Sequence, residues 1–207
     1  MGLSAEHLRR AIDALAAIEP AFAAAIARVG YPAPRINPRG HATLLRTIIG
    51  QQVSTQSAQA VWNKLEGIIG DLSDPNTITH ASDDQLRAAG LSRQKLSYAR
   101  SLADHVTSGA LDLDHLPEDD DAAIAALVAI KGIGRWSAEI YLLFAEGRAD
   151  IWPAGDLAVQ IEIGRILGHE TRPSEKLTRD LAEPWRPHRG AAAIFTWHHY
   201  GSAMKVI

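Results

Sequence analysis

The sequence predicts an all-α protein, and three observations support that prediction. Alanine-rich and leucine-rich segments dominate the chain. Runs of β-branched residues in strict alternation, which are typical of strands, are missing. Turn signals recur at intervals that suit short helices. The 207 residues are enough for one globular domain with a core, which we expect to comprise two helical subdomains with a cleft between them.

Apolar periodicity and capping residues predict the individual helices. Ser54 and Ser82 are residue types that cap a helix N-terminus, and each precedes a helix-compatible segment. The proline-rich loop 30–40 and the acidic loop 111–121 are candidate connections between two subdomains. One subdomain is expected to comprise residues 41–117, and the other residues 1–40 together with 118–207. The predicted helices cover residues 5–18, 20–29, 41–50, 54–69, 76–80, 83–89, 92–108, 121–130, 135–146, 157–168, 174–182 and 188–203.

Composition excludes several classes of protein. Without cysteine, the chain cannot hold a disulfide, a thiolate zinc site or a cysteine-bound iron–sulfur cluster. No apolar run approaches the roughly 18–20 residues that span a bilayer, and the stretch 1–20 carries acids and arginines. We therefore expect a cytoplasmic protein with no membrane contact.

The charged residues are unevenly distributed, although the net charge is only −3. Residues 20–65 and 85–100 contain no Asp or Glu, whereas Glu118–Asp121 is a run of four acids. Two cationic patches could therefore bind nucleic acid on an otherwise acidic protein, or the same charges could belong to ordinary solvated helix faces.

The stretch "VAIKGIGRWSAEI" (128–140) predicts a tight helix–hairpin–helix. Apolar helical spacing precedes and follows two glycines, Gly132 and Gly134, and Ile133 between them is a candidate apolar plug. The amides at the start of the second helix could bind a phosphate, with Lys131 and Arg135 adding positive charge. An ordinary αα-hairpin turn would use the same glycines.

Asp156 follows "DIWPAG" and precedes an amphipathic segment, so it suits a helix N-cap. A carboxylate held at this place also suits the hydrolysis of a glycosidic bond, because negative charge stabilises the oxocarbenium character that develops on the sugar. The two interpretations are compatible.

The pairing of "LVAIKGIGRWSAEIYLLF" with "DIWPAGDLAVQ" resembles the helix–hairpin–helix–Gly/Pro–Asp superfamily of DNA glycosylases. Three further stretches, "IIGQQVSTQSAQAVWNKL", "GLSRQKLSYARSLA" and "PWRPHRGAAAIFTWHHY", resemble its alkylation-repair branch, 3-methyladenine DNA glycosylase II. The likeness spans most of residues 41–203. It implies base flipping and the excision of alkylated purines from double-stranded DNA, with Asp156 as the catalytic residue.

The resemblance also implies roles for the tryptophans. Trp136 stands where strand-cutting relatives carry a lysine nucleophile, and because an indole cannot form a Schiff base, a monofunctional enzyme without AP-lyase activity is expected. Trp136 and Trp185 match positions that line the base pocket in the alkylation branch, where a cationic methylpurine would favour an aromatic face. For Trp62, Trp152 and Trp197, core positions are predicted.

Other DNA contacts and a metal site follow from the resemblance. Gln51 and Gln52 match a gap-filling or minor-groove element, and Arg93 stands where relatives place a wedging side chain; ordinary polar surface is the competing interpretation. The carbonyls of Val128, Ile130 and Ile133 match those that hold Na+ or K+ in the family. No cofactor is required, and the nine histidines lack the spacing of a catalytic metal site.

Two alternatives stay open from the sequence alone. The chain could be a non-catalytic helix–hairpin–helix DNA-binding protein in which Asp156 is merely a cap. It could also be a mismatch or oxidised-base glycosylase on the same scaffold.

Overall fold

A computed structural model describes residues 3–203, and every regular element in that range is helical. The all-α prediction is confirmed. Short turns of π-helix (Leu142–Glu146) and 3-10 helix (Glu183–Trp185) supplement the α-helices. These are α1 (Ala5–Ile18), α2 (Pro20–Val29), α3 (His41–Gly50), α4 (Thr55–Ile69), α5 (Pro75–His80), α6 (Asp83–Ala88), α7 (Arg93–Thr107), α8 (Asp120–Val128), α9 (Arg135–Tyr141), α10 (Leu157–Ile166), α11 (Glu175–Leu181) and α12 (Arg189–Ala203).

The predicted caps form where local sequence specifies them. The Ser54 hydroxyl accepts the Ser57 amide at the start of α4. Ser82 and Gln85 make a reciprocal capping box at the start of α6. Both helices therefore begin where the side-chain oxygen meets an otherwise unpaired amide.

The predicted helix 135–146 changes its geometry near its middle. It is α-helical as far as Tyr141 and π-helical from Leu142 to Glu146. Residues 142–145 are all buried, so this turn has no exposed face along these four positions.

Residues 37–141 form one compact unit that comprises α3 to α9. Its core contains Leu44, Leu45 and Ile48 of α3, which packs against α4 and α7. The sequence analysis assigned residues 118–141 to the other subdomain, but α9 packs against α3. The Tyr141 hydroxyl accepts the Gly40 amide at 2.8 Å, which ties the end of α9 to the start of α3.

The second compact unit combines residues 3–36 with residues 142–203. In this unit α12 packs against α1, α2 and α10. Phe22 of α2 contacts the rings of Trp185 and Phe195 edge-on, with centroids 5.2 and 5.7 Å away. This aromatic core supports α10 and α12, the two helices that carry the candidate acid and its neighbour.

Candidate active site and nucleic-acid interface

The hairpin between α8 and α9 forms as predicted, and Gly132 is the glycine that its geometry requires. Gly132 has a φ of +89°, and a Cβ atom there would lie 2.2 Å from the ring of Tyr98. Ile133 beside it is buried, as the plug interpretation predicts. At Gly134 the φ is not positive and no protein atom would lie within 4 Å of an added Cβ. The protein's own packing therefore does not require a glycine at position 134, and the space beside its backbone is open.

Two segments that are distant in sequence contact this hairpin within unit 37–141. The Gln51 side-chain amide donates to the Gly132 carbonyl at 2.8 Å. From α7, Tyr98 packs on Gly132 and Ser101 accepts the backbone N–H of Lys131 at 3.0 Å. The hydrogen bond of Gln51 gives it a structural role at the hairpin, which the sequence analysis did not predict.

Lys95 of α7 connects the same helix to the turn after α3. Its ammonium group donates to the Ile49 carbonyl at 2.7 Å. Partial burial lowers the pKa of Lys95, because a low-dielectric environment disfavours the charged form. The interaction fixes the end of α3, from which the chain enters the Gln51–Gln52 turn.

Gln52 has the exposed, strained position expected of a residue that contacts a ligand. It is the one non-glycine residue with a positive φ, +56°, among residues 3–203. Gln52 and Val53 line a cavity of about 260 Å³ together with Ser92, Gln94 and Lys95. Arg93, at the first position of α7, is exposed. The DNA contacts of Gln52 and Arg93 stay predictions.

The two cations of the hairpin are in different environments. Lys131 is exposed, and its ammonium group lies 2.9 Å from the Ser97 hydroxyl. Arg135 is paired with Asp121 at 3.0 Å and with the buried Glu139 at 2.9 Å. Burial disfavours the guanidinium charge, but these two carboxylates outweigh it and raise the pKa of Arg135. Much of the charge of Arg135 is thus balanced within the protein.

The two tryptophans predicted to line a base pocket differ sharply in exposure. Trp136, at the start of α9, is 48% exposed, as a residue that contacts a ligand should be. Trp185 is only 2% exposed, and its ring packs against Phe22 and Trp152. Because a fully packed ring offers no face to a base, the structure gives Trp185 a packing role in place of the predicted one.

Asp156 is the N-cap of α10, as predicted, and is half-buried. Its Oδ1 accepts the Val159 amide at 2.9 Å. Two hydrogen bonds fix the loop that precedes Asp156. Trp152 donates its indole N–H to the Thr178 carbonyl, and the Gln160 side chain donates to the Ala154 carbonyl. The acid therefore lies on a rigid support.

Trp197 is the neighbour of Asp156 that the sequence analysis missed. It was predicted to be a core residue, but it is half-buried and donates its indole N–H to Oδ1 of Asp156 at 3.2 Å. Its ring also stacks obliquely on Phe144, with centroids 5.7 Å apart. Trp62 and Trp152 are buried, as predicted.

Residues 3–203 contain no group of three or more His, Asp or Glu side chains that could hold a metal ion. In the same range no helix is long and apolar enough to cross a membrane. The hairpin carbonyls are a different kind of ligand, because backbone oxygens suit hard cations. The Ile130 carbonyl accepts the Ile133 amide at 3.0 Å, and a carbonyl oxygen has a second lone pair.

Comparison with known proteins identifies the family. Residues 45–187 match the HhH-GPD superfamily of base excision DNA repair proteins, and the chain belongs to this family. The crystal structure of a DNA-3-methyladenine glycosidase from Bacillus halodurans is similar to this protein, with a TM-score of 0.86 and 29% identity over 94% of this chain and 91% of that one.

Two further relatives are informative. The 3-methyladenine DNA glycosylase of Schizosaccharomyces pombe in complex with abasic DNA has a TM-score of 0.77 and 25% identity over 94% of this chain and 97% of that one. Endonuclease III of Sulfolobus acidocaldarius is 35% identical over 163 residues, which are 76% of this chain and 69% of the relative.

Proposed function

We propose that this protein is a monofunctional DNA glycosylase that excises alkylated purines, of the 3-methyladenine and 7-methylguanine type, from duplex DNA in base excision repair. The observation that carries the proposal is the Asp156 carboxylate, held at the start of α10 by the Val159 amide and the Trp197 indole. Membership of the family and the names of the two structural relatives support it.

Asp156 performs the central chemical step. As the N-glycosidic bond lengthens, positive charge develops on the deoxyribose, and a fixed carboxylate stabilises it. Water then attacks the sugar carbon, the bonding electrons leave with the base, and the water proton passes to solvent through Asp156 as base. The two donors to Oδ1 hold the carboxylate in place before the substrate arrives, so little reorganisation is needed during the reaction.

The target base must leave the helical stack to reach this acid. An alkylated purine with a positive charge is attracted by an aromatic face, and its glycosidic bond is already weakened, so little help from a general acid is required. Trp136 is the exposed aromatic residue that we assign to contact with DNA.

The hairpin binds the DNA backbone. The first amides of α9 have no partner within the helix, and the open space at Gly134 lets a phosphate approach them. Lys131 contributes charge, Arg135 contributes less because of its carboxylate partners, and Gln52 and Arg93 contact the duplex. Such contacts position the protein without reading sequence.

The end of α8 and the following turn would hold a monovalent cation through the carbonyls of Val128, Ile130 and Ile133. These oxygens are neutral ligands of the type that Na+ and K+ accept, and the bound ion would add positive charge beside the phosphate. We assign the protein no other cofactor, and we place it as a monomer in the cytoplasm, associated with the nucleoid.

The absence of lyase activity rests on Trp136, which has no amine to attack the sugar. A strand-cutting enzyme is the second candidate, favoured by the relative named Endonuclease III. The same relative is the reason to test strand cleavage directly rather than to infer it from base release.

One experiment decides between these functions. The protein is incubated with methylated duplex DNA, the released bases are separated by chromatography, and a parallel reaction with abasic DNA contains borohydride. Free methylpurine without a trapped covalent adduct supports the proposal. A trapped adduct supports the strand-cutting enzyme. Binding without release of methylpurine supports a non-catalytic DNA-binding protein or a glycosylase for mismatched or oxidised bases, and release from duplexes that carry those bases separates the two.

A further inference from the structure

Arg35 is an exposed arginine in the loop between α2 and α3. Its guanidinium carbon lies over the ring of Phe144, 4.7 Å from the centroid. Among residues 3–203 no carboxylate is within ion-pair distance of it. Several arginines of the same compact unit are paired with acids, as Arg165 is with Glu162 and Arg189 with Asp150. The charge of Arg35 is therefore not neutralised by a neighbouring side chain.

A short chain of contacts connects Arg35 to the candidate catalytic acid. Phe144, which supports the guanidinium, stacks on Trp197 with centroids 5.7 Å apart and an interplanar angle of 32°. Trp197 in turn donates to Asp156. All four residues belong to one compact unit. The unpaired cation is thus separated from the carboxylate by two aromatic side chains.

A nucleotide that presents its sugar to Asp156 brings two phosphates with it, one on each side of the deoxyribose. Negative phosphates near a carboxylate repel it, and this repulsion opposes binding unless a cation lies nearby. Arg35 lies in the acid-free stretch 20–65, so no carboxylate adjacent in sequence competes for it. A guanidinium also fits a phosphate geometrically, because its planar fork can donate two hydrogen bonds.

We propose that Arg35 is a positioning residue that binds the DNA phosphate next to the nucleotide whose sugar faces Asp156. Phe144 holds the guanidinium in place before DNA arrives, which reduces the conformational entropy lost on binding. The assignment of that nucleotide rests on the proposed function, but the phosphate contact itself is a statement about DNA binding.

The test measures the affinity of the full chain for a duplex with a stable tetrahydrofuran abasic analogue at several salt concentrations. In Arg35→Gln and Arg35→Met, we expect the slope of log K against log salt to fall in magnitude by about one, because one phosphate contact is lost. Methionine keeps an apolar contact with the Phe144 ring, so it separates the loss of charge from the loss of packing. Arg35→Lys should keep the slope and bind more weakly, since an ammonium lacks the planar fork.

Arg9 supplies the matched control, because its guanidinium also lies over a ring, that of Tyr31, at 4.6 Å. Arg9→Gln should keep the wild-type slope. The proposal is overturned if the slope of folded Arg35→Met equals that of the wild type, or if Arg9→Gln lowers it equally.

Failure of this inference and failure of the proposed function give different results. If the wild-type protein binds the duplex but releases no methylpurine, the assignment as an alkylpurine glycosylase is contradicted. The phosphate contact of Arg35 is still tested in that case, because the salt dependence of DNA binding can be compared between the wild type and the Arg35 variants. A wild-type protein that releases methylpurine while the Arg35 variants keep the full slope contradicts only the phosphate contact.

Discussion

The indole N–H of Trp197 and the backbone N–H of Val159 both donate to Oδ1 of Asp156, at 3.2 and 2.9 Å. The backbone donor fixes the carboxylate to the start of α10, and the indole donor fixes it to α12, 41 residues further along the chain. Asp156 is therefore a helix cap and an oriented carboxylate at once. Capping and the proposed catalytic role can be separated by substitution, because only the proposed catalytic role depends on the negative charge.

Asp156→Asn should lower base release by at least about 100-fold, the scale expected when a group that stabilises transition-state charge is lost. The fold should be preserved, since Asn is as good an N-cap as Asp and its side-chain oxygen can accept the same two hydrogen bonds. Single-turnover release of 7-methylguanine gives the rate, and binding to the abasic-analogue duplex should change little.

The control for this substitution is Asp74→Asn at the N-cap of α5, where Asp74 accepts the Asn76 amide at 2.9 Å. It should leave base release unchanged. An Asp156→Asn protein with near-wild-type turnover would reduce Asp156 to a structural cap.

Trp197→Phe tests orientation alone. Phenylalanine can keep the ring contact with Phe144 but cannot donate to Asp156. A hydrogen bond to a charged group contributes about 1.5–3 kcal/mol, so base release should fall about 10- to 100-fold if the bond is fully used in the transition state. Trp152→Phe is the matched control, because it removes an indole bond to the Thr178 carbonyl instead.

The two tryptophan variants should differ in what they damage. Trp152→Phe leaves a buried carbonyl without its donor and should lower the free energy of unfolding by about 1–3 kcal/mol, with base release per folded molecule unchanged. Equal catalytic losses in both variants would show that Trp197 acts through general packing of this unit.

The cap at Asp156 was predictable because its partner, Val159, lies three residues away and the residue types specify the contact. The Trp197 bond was not, because its two residues meet only when α10 packs on α12. A single sequence carries no signal for such a pairing. The same holds for Gln51, whose hydrogen bond to Gly132 joins segments 81 residues apart.

Burial of aromatic residues was the other point at which sequence reasoning was limited. Trp185 and Trp136 looked equivalent as pocket candidates, but one packs into an aromatic core and the other is half-exposed. Tryptophan is compatible with both environments, since its large apolar ring also carries a polar N–H. The surrounding helices decide between them, and they are known only from the fold.

The two glycines of the hairpin should respond differently to alanine. Gly132→Ala should lower the free energy of unfolding by about 2 kcal/mol or more, because its φ is +89° and the added Cβ would meet the Tyr98 ring. Gly134→Ala should stay within about 0.5 kcal/mol of the wild type, since its surroundings are open. Urea unfolding measures both changes.

DNA affinity completes this comparison. If a phosphate approaches the backbone at Gly134, its alanine variant should fold normally and bind the abasic-analogue duplex more weakly. Wild-type affinity in the folded Gly134→Ala protein would argue against the hairpin as a phosphate site.

The last prediction concerns His41, which makes stability depend on pH. His41 is only 4% exposed, and its Nδ1 lies 3.0 Å from the Leu72 carbonyl, so Nδ1 carries the proton. Nε2 is buried and has no hydrogen-bond partner within the described residues. Burial lowers the pKa of His41, and the Leu72 carbonyl and Asp74 oppose that shift without reversing it.

Because the folded protein holds His41 neutral while the unfolded chain protonates it near pH 6.5, the unfolded state binds more protons below that pH. The contribution of His41 to stability should therefore be fully present above about pH 6.5 and decline as the pH falls toward the lowered native value. Urea unfolding from pH 7.5 to 5 measures this dependence. The stability of His41→Asn should depend on pH more weakly than that of the wild type. His80→Asn, at an exposed position, is the control and should match the wild type. A His41→Asn profile parallel to the wild-type profile would assign the pH sensitivity to other groups.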